Sequence, residues 1–130
     1  MRKKVMDREQ FEHIVARAYN SLPEMFRSKI ENVEIIVEDM PTRYDLEKAK
    51  VERGGMLLGL YSGVPLTKRG TWYGSTPTLP DRITLYQGNI ELLCQDEREM
   101  EAKIYEVLFH EIGHYFGMSE DEIRKAMDEQ

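Results

Sequence analysis

The stretch from Asp96 to Gly117 limits the fold more than any other part of this chain, because it reads as one long helix with both ends marked. Asp96 and Glu99 form a cap signal at its start, and Gly117 supplies the left-handed residue that commonly stops a helix. The pattern predicts a helix from about Glu97 to Phe116. At about 100° per residue, Met100, Ile104, Leu108, Ile112, Tyr115 and Phe116 fall on one broad apolar arc. Glu111 lies inside that arc, and a carboxylate facing apolar surroundings is costly unless something compensates it. His110 and His114 sit just beyond the arc's edge on the same side.

The remaining segments mix helical and strand signals, so the fold class is α+β. Asp7 and Gln10 resemble a capping pair, and Phe11, Ile14, Val15, Ala18, Tyr19 and Leu22 then recur at helical spacing. Pro23 ends this helix or opens a short second one running to about Ile30. Val33, Ile35 and Val37 alternate with Glu34, Ile36 and Glu38, the pattern of a half-buried strand. Residues 40–53 are charged and carry no clear period. Gly54-Gly55 marks a turn before a second strand, Met56 to Tyr61, and a third runs from Arg82 to Gln87, closed by Gly88. Between them, residues 62–80 are rich in Gly, Pro, Ser and Thr around Trp72 and Tyr73. That is either a functional long loop or a loose hairpin whose aromatics cover the sheet. Ser119 with Glu122 caps one last short helix.

Length and composition narrow the class of protein. At 130 residues the chain fits one domain, 1–130, and 41% apolar with 32% charged residues is a soluble globular balance. The longest apolar run, Met56 to Tyr61, is far too short to span a bilayer. The basic N-terminus is followed by charged residues rather than an apolar stretch, so a cytoplasmic location with no membrane partner is expected. A net charge of −6 without a basic stripe argues against nucleic acid as a partner. Cys94 is the single cysteine, which excludes an intramolecular disulfide and a cysteine metal cluster.

His110-Glu111-Ile112-Gly113-His114 matches H-E-x-x-H, and it lies well inside the long helix. Residues four apart share a face, one turn above another, so the two imidazoles can converge on one ion. Zinc takes such nitrogen ligands, and Glu111 can reach a water beside the ion and take a proton from it. Five residues also match by chance. The weight comes from the helix around them, the glycine after them and the acidic pair beyond.

Extended to Gly117 and Glu120, the stretch reads H-E-x-x-H-x-x-G-x-x-E. It resembles the metzincin pattern, in which a glycine turns the chain so that a residue three further on returns to the metal. Glu120 occupies the third-ligand position; Glu120 and Asp121 also stand as first-turn acids favoured by the helix dipole, and the two roles are compatible. Together with Leu58-Gly59-Leu60-Tyr61, Gly63-Val64-Pro65-Leu66, Leu79-Pro80-Asp81-Arg82-Ile83 and Leu85-Tyr86, the motif makes the chain similar to the minimal zincin-like metallopeptidases of bacteria. The resemblance implies a compact zincin-like fold, with a small mixed sheet of three to four strands packed against the active-site helix and an N-terminal helix. It also implies Zn2+ bound by His110, His114 and an acidic third ligand, with Glu111 as catalytic base and a peptide or protein as substrate. Two departures stand out: the family usually has Asp where this chain has Glu120 beside Asp121, and no methionine turn can be identified. Met127 reads as core filler on the last helix.

Other residues compete for roles. Cys94 precedes His110 by sixteen residues, mostly helical, which separates them by roughly 20 Å or more. It is therefore expected to be a buried thiol and not a fourth ligand. His13 on the first helix can approach a metal in three dimensions, but a histidine beside an apolar stripe is usually just partly buried. Tyr86 is one of several tyrosines available to stabilise an oxyanion, and the strand Arg82–Gln87 is the nearest in sequence for pairing with a substrate backbone. Two further functions fit the same residues: a zinc-stabilised interaction module without turnover, and a zinc hydrolase acting on something other than peptides.

Overall fold

Apolar residues at alternate positions, Val33, Ile35 and Val37, give β1 (Val33–Glu38) one face to bury. It joins β2 (Gly59–Ser62) and β3 (Asp81–Tyr86) in a mixed sheet. The computed structural model describes residues 6–30, 32–51, 55–63 and 81–129, and among these the strand order is β1-β3-β2. β3 pairs parallel with β1, from Val33 opposite Asp81 to Glu38 opposite Tyr86. It pairs antiparallel with β2, from Gly59 opposite Leu85 to Ser62 opposite Arg82. Ile83 and Leu85 are fully buried on the face shared with Ile35 and Val37, and Thr84 and Tyr86 are buried on the other. β3 is thus the central strand. The expected segment Arg82–Gln87 cannot offer an edge to a substrate, because both of its edges are already paired; among the described residues the outer strands are β1 and β2, and β2 is the one that packs against α5.

α1 (Arg8–Asn20) buries Phe11, Ile14, Val15 and Ala18 and packs along α5 (Glu97–Tyr115), which also crosses β2 and β3. The α+β arrangement of a small mixed sheet against the long helix and an N-terminal helix is therefore present. Asp7 precedes α1 without a side-chain cap; its carbonyl accepts the Phe11 N–H instead. α2 (Glu24–Lys29) follows Pro23 and sets Phe26 against Phe109 and Phe116, with ring centroids 4.8 and 5.4 Å apart. The second strand starts at Gly59 rather than Met56, which is 46% exposed. The loop expectation around Trp72 and Tyr73 lies outside the described residues.

Two helices depart from the expectation. α3 (Arg43–Lys48) begins with a reciprocal cap between Thr42 and Asp45 and buries no residue. α4 (Gln87–Leu92) follows β3 without a break, so Gly88 lies inside a helix and does not close a strand. A Cβ at Gly88 would lie 2.7 Å from the Asp39 carbonyl oxygen, which accepts the Gly88 N–H. α4 turns its polar residues inward. Gln87 Nε2 donates to the Met6 carbonyl, Glu91 accepts the Met6 N–H, and Asn89 Nδ2 donates to the Leu57 carbonyl. These bonds tie the start of the described chain and the approach to β2 onto one helix. No helix among the described residues is long and apolar enough to cross a membrane.

Candidate metal centre

The site begins with the helical period of α5. Asp96 caps the helix by accepting the Glu99 N–H, and the four-residue spacing sets His110 and His114 edge to face with ring centroids 4.7 Å apart. The helix then ends in a Schellman turn. Gly117 takes φ +78°, its N–H donates to the His114 carbonyl, and the Met118 N–H donates to the Gly113 carbonyl. A glycine is required at the first of these because an L side chain is strained at that φ.

The chain reverses there, and α6 (Glu120–Asp128) starts at once from the reciprocal cap of Ser119 and Glu122. Ile123 seats α6 on α5: a Cβ at Gly113 would lie 2.6 Å from Ile123 Cγ1. The first residue of α6 thereby faces the two histidines. Glu120 Oε2 lies 2.7 Å from His110 Nε2, and Glu120 Oε1 lies 3.2 Å from His114 Nε2. Asp121, about 100° further round, points elsewhere and is paired with Arg124.

Glu111 is 8% exposed, inside the apolar arc of α5. Its Oε1 accepts the backbone N–H of Tyr61 at 2.9 Å, and its Oε2 lies 2.8 Å from His110 Nδ1. The first contact depends on Gly59, since a Cβ there would meet Val107 Cγ1 at 2.6 Å and hold β2 away from α5. The Tyr61 ring packs edge-on to Tyr115, and its hydroxyl donates to the buried Asp81.

The charges reinforce one another. His110 has its pKa raised to about 9, chiefly by its hydrogen bond to Glu111 and further by Glu120, against the opposing effect of burial. Glu120 is held below the usual carboxylate range, first by its hydrogen bond to His110. Ligand-type atoms of His110, Glu111 and His114 all lie within 4.8 Å of one another. Two imidazoles and a carboxylate on neighbouring turns are donors of the kind that zinc takes, so the residues fit such an ion.

The other candidates are elsewhere or otherwise engaged. His13 is exposed on α1, and Cys94 is buried in the core just after α4. Tyr86 is 1% exposed, and burial, followed by the hydrogen bond of its phenol to Asp45, raises its pKa far above the ordinary value. Met127 is half-buried against the core and lines a pocket that His110 and Glu111 also line. The Tyr61 backbone contact has no counterpart in the sequence pattern, since an N–H carries no residue signature. Gly59, the residue that permits the approach, was the available clue.

A helix carrying His-Glu-x-x-His across a small mixed sheet, with an acid brought back by the next helix, is the build of a zincin. A family described as zincin-like metallopeptidase matches residues 30–129, and the chain belongs to that family. Membership implies a metal, typically zinc, and a fold of the zinc-metallopeptidase kind. The chain also resembles a conserved hypothetical protein from Thermus thermophilus, with a TM-score of 0.54 and 24% identity over 85% of this chain and 94% of that one. That likeness concerns the fold alone. No curated protein matches the chain.

Proposed function

We propose that the protein is a zinc-dependent hydrolase that cleaves peptide bonds, with His110, His114 and Glu120 holding the metal and Glu111 as general base. The observation that carries this reading is the meeting of both histidine Nε2 atoms at one carboxylate, beside a second, buried carboxylate. Glu111 lies as near as Glu120, but it meets His110 through Nδ1, the nitrogen turned away from Glu120. Its other oxygen is occupied by the Tyr61 N–H. This favours Glu120 as the ligand and leaves Glu111 for proton transfer.

Zinc held there supplies Lewis acidity, which makes water acidic enough to lose a proton near neutral pH. Glu111 takes that proton at Oε2, while the Tyr61 N–H fixes Oε1 and so the plane of the carboxylate. The same oxygen then passes the proton to the leaving amine. His110 must be neutral to serve as a ligand, so its proton leaves when metal binds. The edge of β2, close against α5, is the place for an extended substrate backbone to pair.

The test is a peptide-library digest with zinc-loaded protein, run beside Glu111→Gln. The variant keeps zinc and fold and loses at least about 10²-fold in hydrolysis. Equal turnover in both proteins removes Glu111 from the mechanism. No cleavage by either supports a zinc-stabilised interaction module or a hydrolase of non-peptide substrates.

A further inference from the structure

Asp81 opens β3 and is 3% exposed, a buried carboxylate that no step of the proposed chemistry uses. Strand alternation places it on the face shared by Ile83 and Leu85. Tyr61 on β2 lies opposite Ile83, so Tyr61 and Asp81 are diagonal neighbours across the two strands. The Tyr61 phenol spans that diagonal and donates to Asp81 Oδ2 at 2.9 Å. Gly63 leaves room for the carboxylate, since a Cβ at that position would collide with it. The backbone of the same tyrosine faces the candidate centre: its N–H donates to Glu111 Oε1 at 2.9 Å, and its ring meets Tyr115 edge-on with centroids 6.1 Å apart.

We propose that Asp81 is a positioning residue: through the Tyr61 phenol it fixes the register of β2 on β3, and with it the N–H that orients the Glu111 carboxylate. The inference rests on the hydrolase reading, with Glu111 as general base, and adds to it a residue that acts through Tyr61. β2 has four residues and is an outer strand among those described, so its backbone bonds alone give it little hold. Its register matters because side chains alternate with a period of two. A slip of one residue would turn the Tyr61 ring to the opposite face and take its N–H away from Glu111. The diagonal bond to Asp81 forms in one register and opposes that slip. A buried carboxylate is costly unless it is hydrogen-bonded, and the phenol that Asp81 holds meets part of that cost. Since the N–H fixes Oε1 and leaves Oε2 for the proton, an error in the strand becomes an error in the base. A misplacement of about 1 Å can cost about 10²-fold in rate.

The experiment compares the zinc-loaded parent with Tyr61→Phe, Asp81→Ala and the double variant. It measures kcat and KM on one peptide cleaved in the library digest, and hydrogen exchange of the amide at position 61. Tyr61→Phe keeps the ring and the N–H and removes only the hydroxyl, so it should fold. Val37→Ala on β1 is the control for stability lost elsewhere in the core. The expected result for Tyr61→Phe is a kcat at least about 10-fold lower, with zinc content kept and KM little changed. The amide at position 61 should exchange at least about 10-fold faster, while those of β3 do not. Asp81→Ala should do the same, and adding Tyr61→Phe to it should cost no further kcat, because the two side chains act as one unit. Val37→Ala should lower stability with neither effect. Unchanged kcat in Tyr61→Phe overturns the proposal, as does a rise in KM alone, a loss of zinc, or losses that add in the double variant. If Asp81→Ala does not fold, Tyr61→Phe decides alone. If the parent cleaves no peptide, the hydrolase reading fails while the exchange still decides the positioning: faster exchange at position 61 alone upholds it, and unchanged exchange overturns it.

Discussion

Glu91 and Glu111 are buried to nearly the same degree, 6% and 8% exposed, yet their surroundings differ in kind. Glu91 on α4 accepts from the Met6 N–H and the Gln87 amide, neutral donors that tie the first described residue to α4. Glu111 on α5 shares one oxygen with a backbone N–H and sets the other against a histidine that also faces Glu120. Burial of a carboxylate therefore does not by itself mark a functional site. What distinguishes Glu111 is a partner whose own protonation and ligation can change.

The comparison breaks most readily at the metal. Glu120→Ala and His114→Ala should each weaken zinc binding by more than about 10²-fold, beyond the loss typical of outer partners of a ligand, whereas Asp121→Ala and Glu91→Gln should leave it unchanged. Competition titration with a chelator checks this, and a large loss in Asp121→Ala would move the third ligand to that residue. The stability effects run the other way. Glu91→Ala leaves the Met6 N–H without its acceptor, while the Gln87 amide keeps the Met6 carbonyl, and it should cost about 1–3 kcal/mol, with zinc affinity intact, measured by denaturant unfolding. Glu111→Gln keeps an acceptor for Tyr61 and should cost less.

Gly113→Ala sharpens the contrast from a third side. The new methyl group would collide with Ile123, and such overpacking costs about 1–3 kcal/mol. The displacement of α6 also carries Glu120 away, so stability and zinc affinity should fall together. Unaltered zinc affinity in this variant would mean that Glu120 is positioned by something other than the Ile123 contact.

The smallest effect is in pH. In the metal-free protein His110 should titrate near pH 9 by NMR, against an ordinary value of 6.5. Because the folded value is the higher one, the stabilisation is complete below about pH 6.5 and is lost as the pH rises through about 9. Glu111→Gln should bring the His110 value down, since that hydrogen bond is its largest cause. Zinc binding should tighten as the pH rises toward 9, because the ion then displaces fewer protons.

The long helix was legible because α5 has a buried arc at a regular period and marked ends; even the burial of Glu111 followed from its angle. The last cap, Ser119 with Glu122, was equally visible. α4 was not, because it inverts the usual pattern: Gln87, Asn89 and Glu91 face inward while Leu92 is 66% exposed. No hydrophobic period exists there to be found. α3 carries a cap signal in Thr42 and Asp45 but buries nothing, so its charged segment offered no face to detect. The longer motif's register picks Glu120 over Asp121, and Glu120 is the acid whose carboxylate reaches both imidazoles. The mistaken edge strand has a different origin. Nearness in sequence pointed to β3, but strand order is set by pairing partners distant in the chain.

The attachment of α6 has a consequence in time as well as in space. Ile123 is its one buried residue, supported by the half-buried Ala126 and Met127. A helix held so lightly loses little on peeling away, and segments with few buried contacts open at lower free energy than the core. Amide hydrogen exchange should therefore be faster in α6 than in the middle of α5. With Glu120 as a zinc ligand, the lifetime of the bound ion would then be set by how often this terminal helix lifts off. Zinc in turn would slow that opening, and the two rates, ion release and α6 exchange, should change together across variants of Ile123.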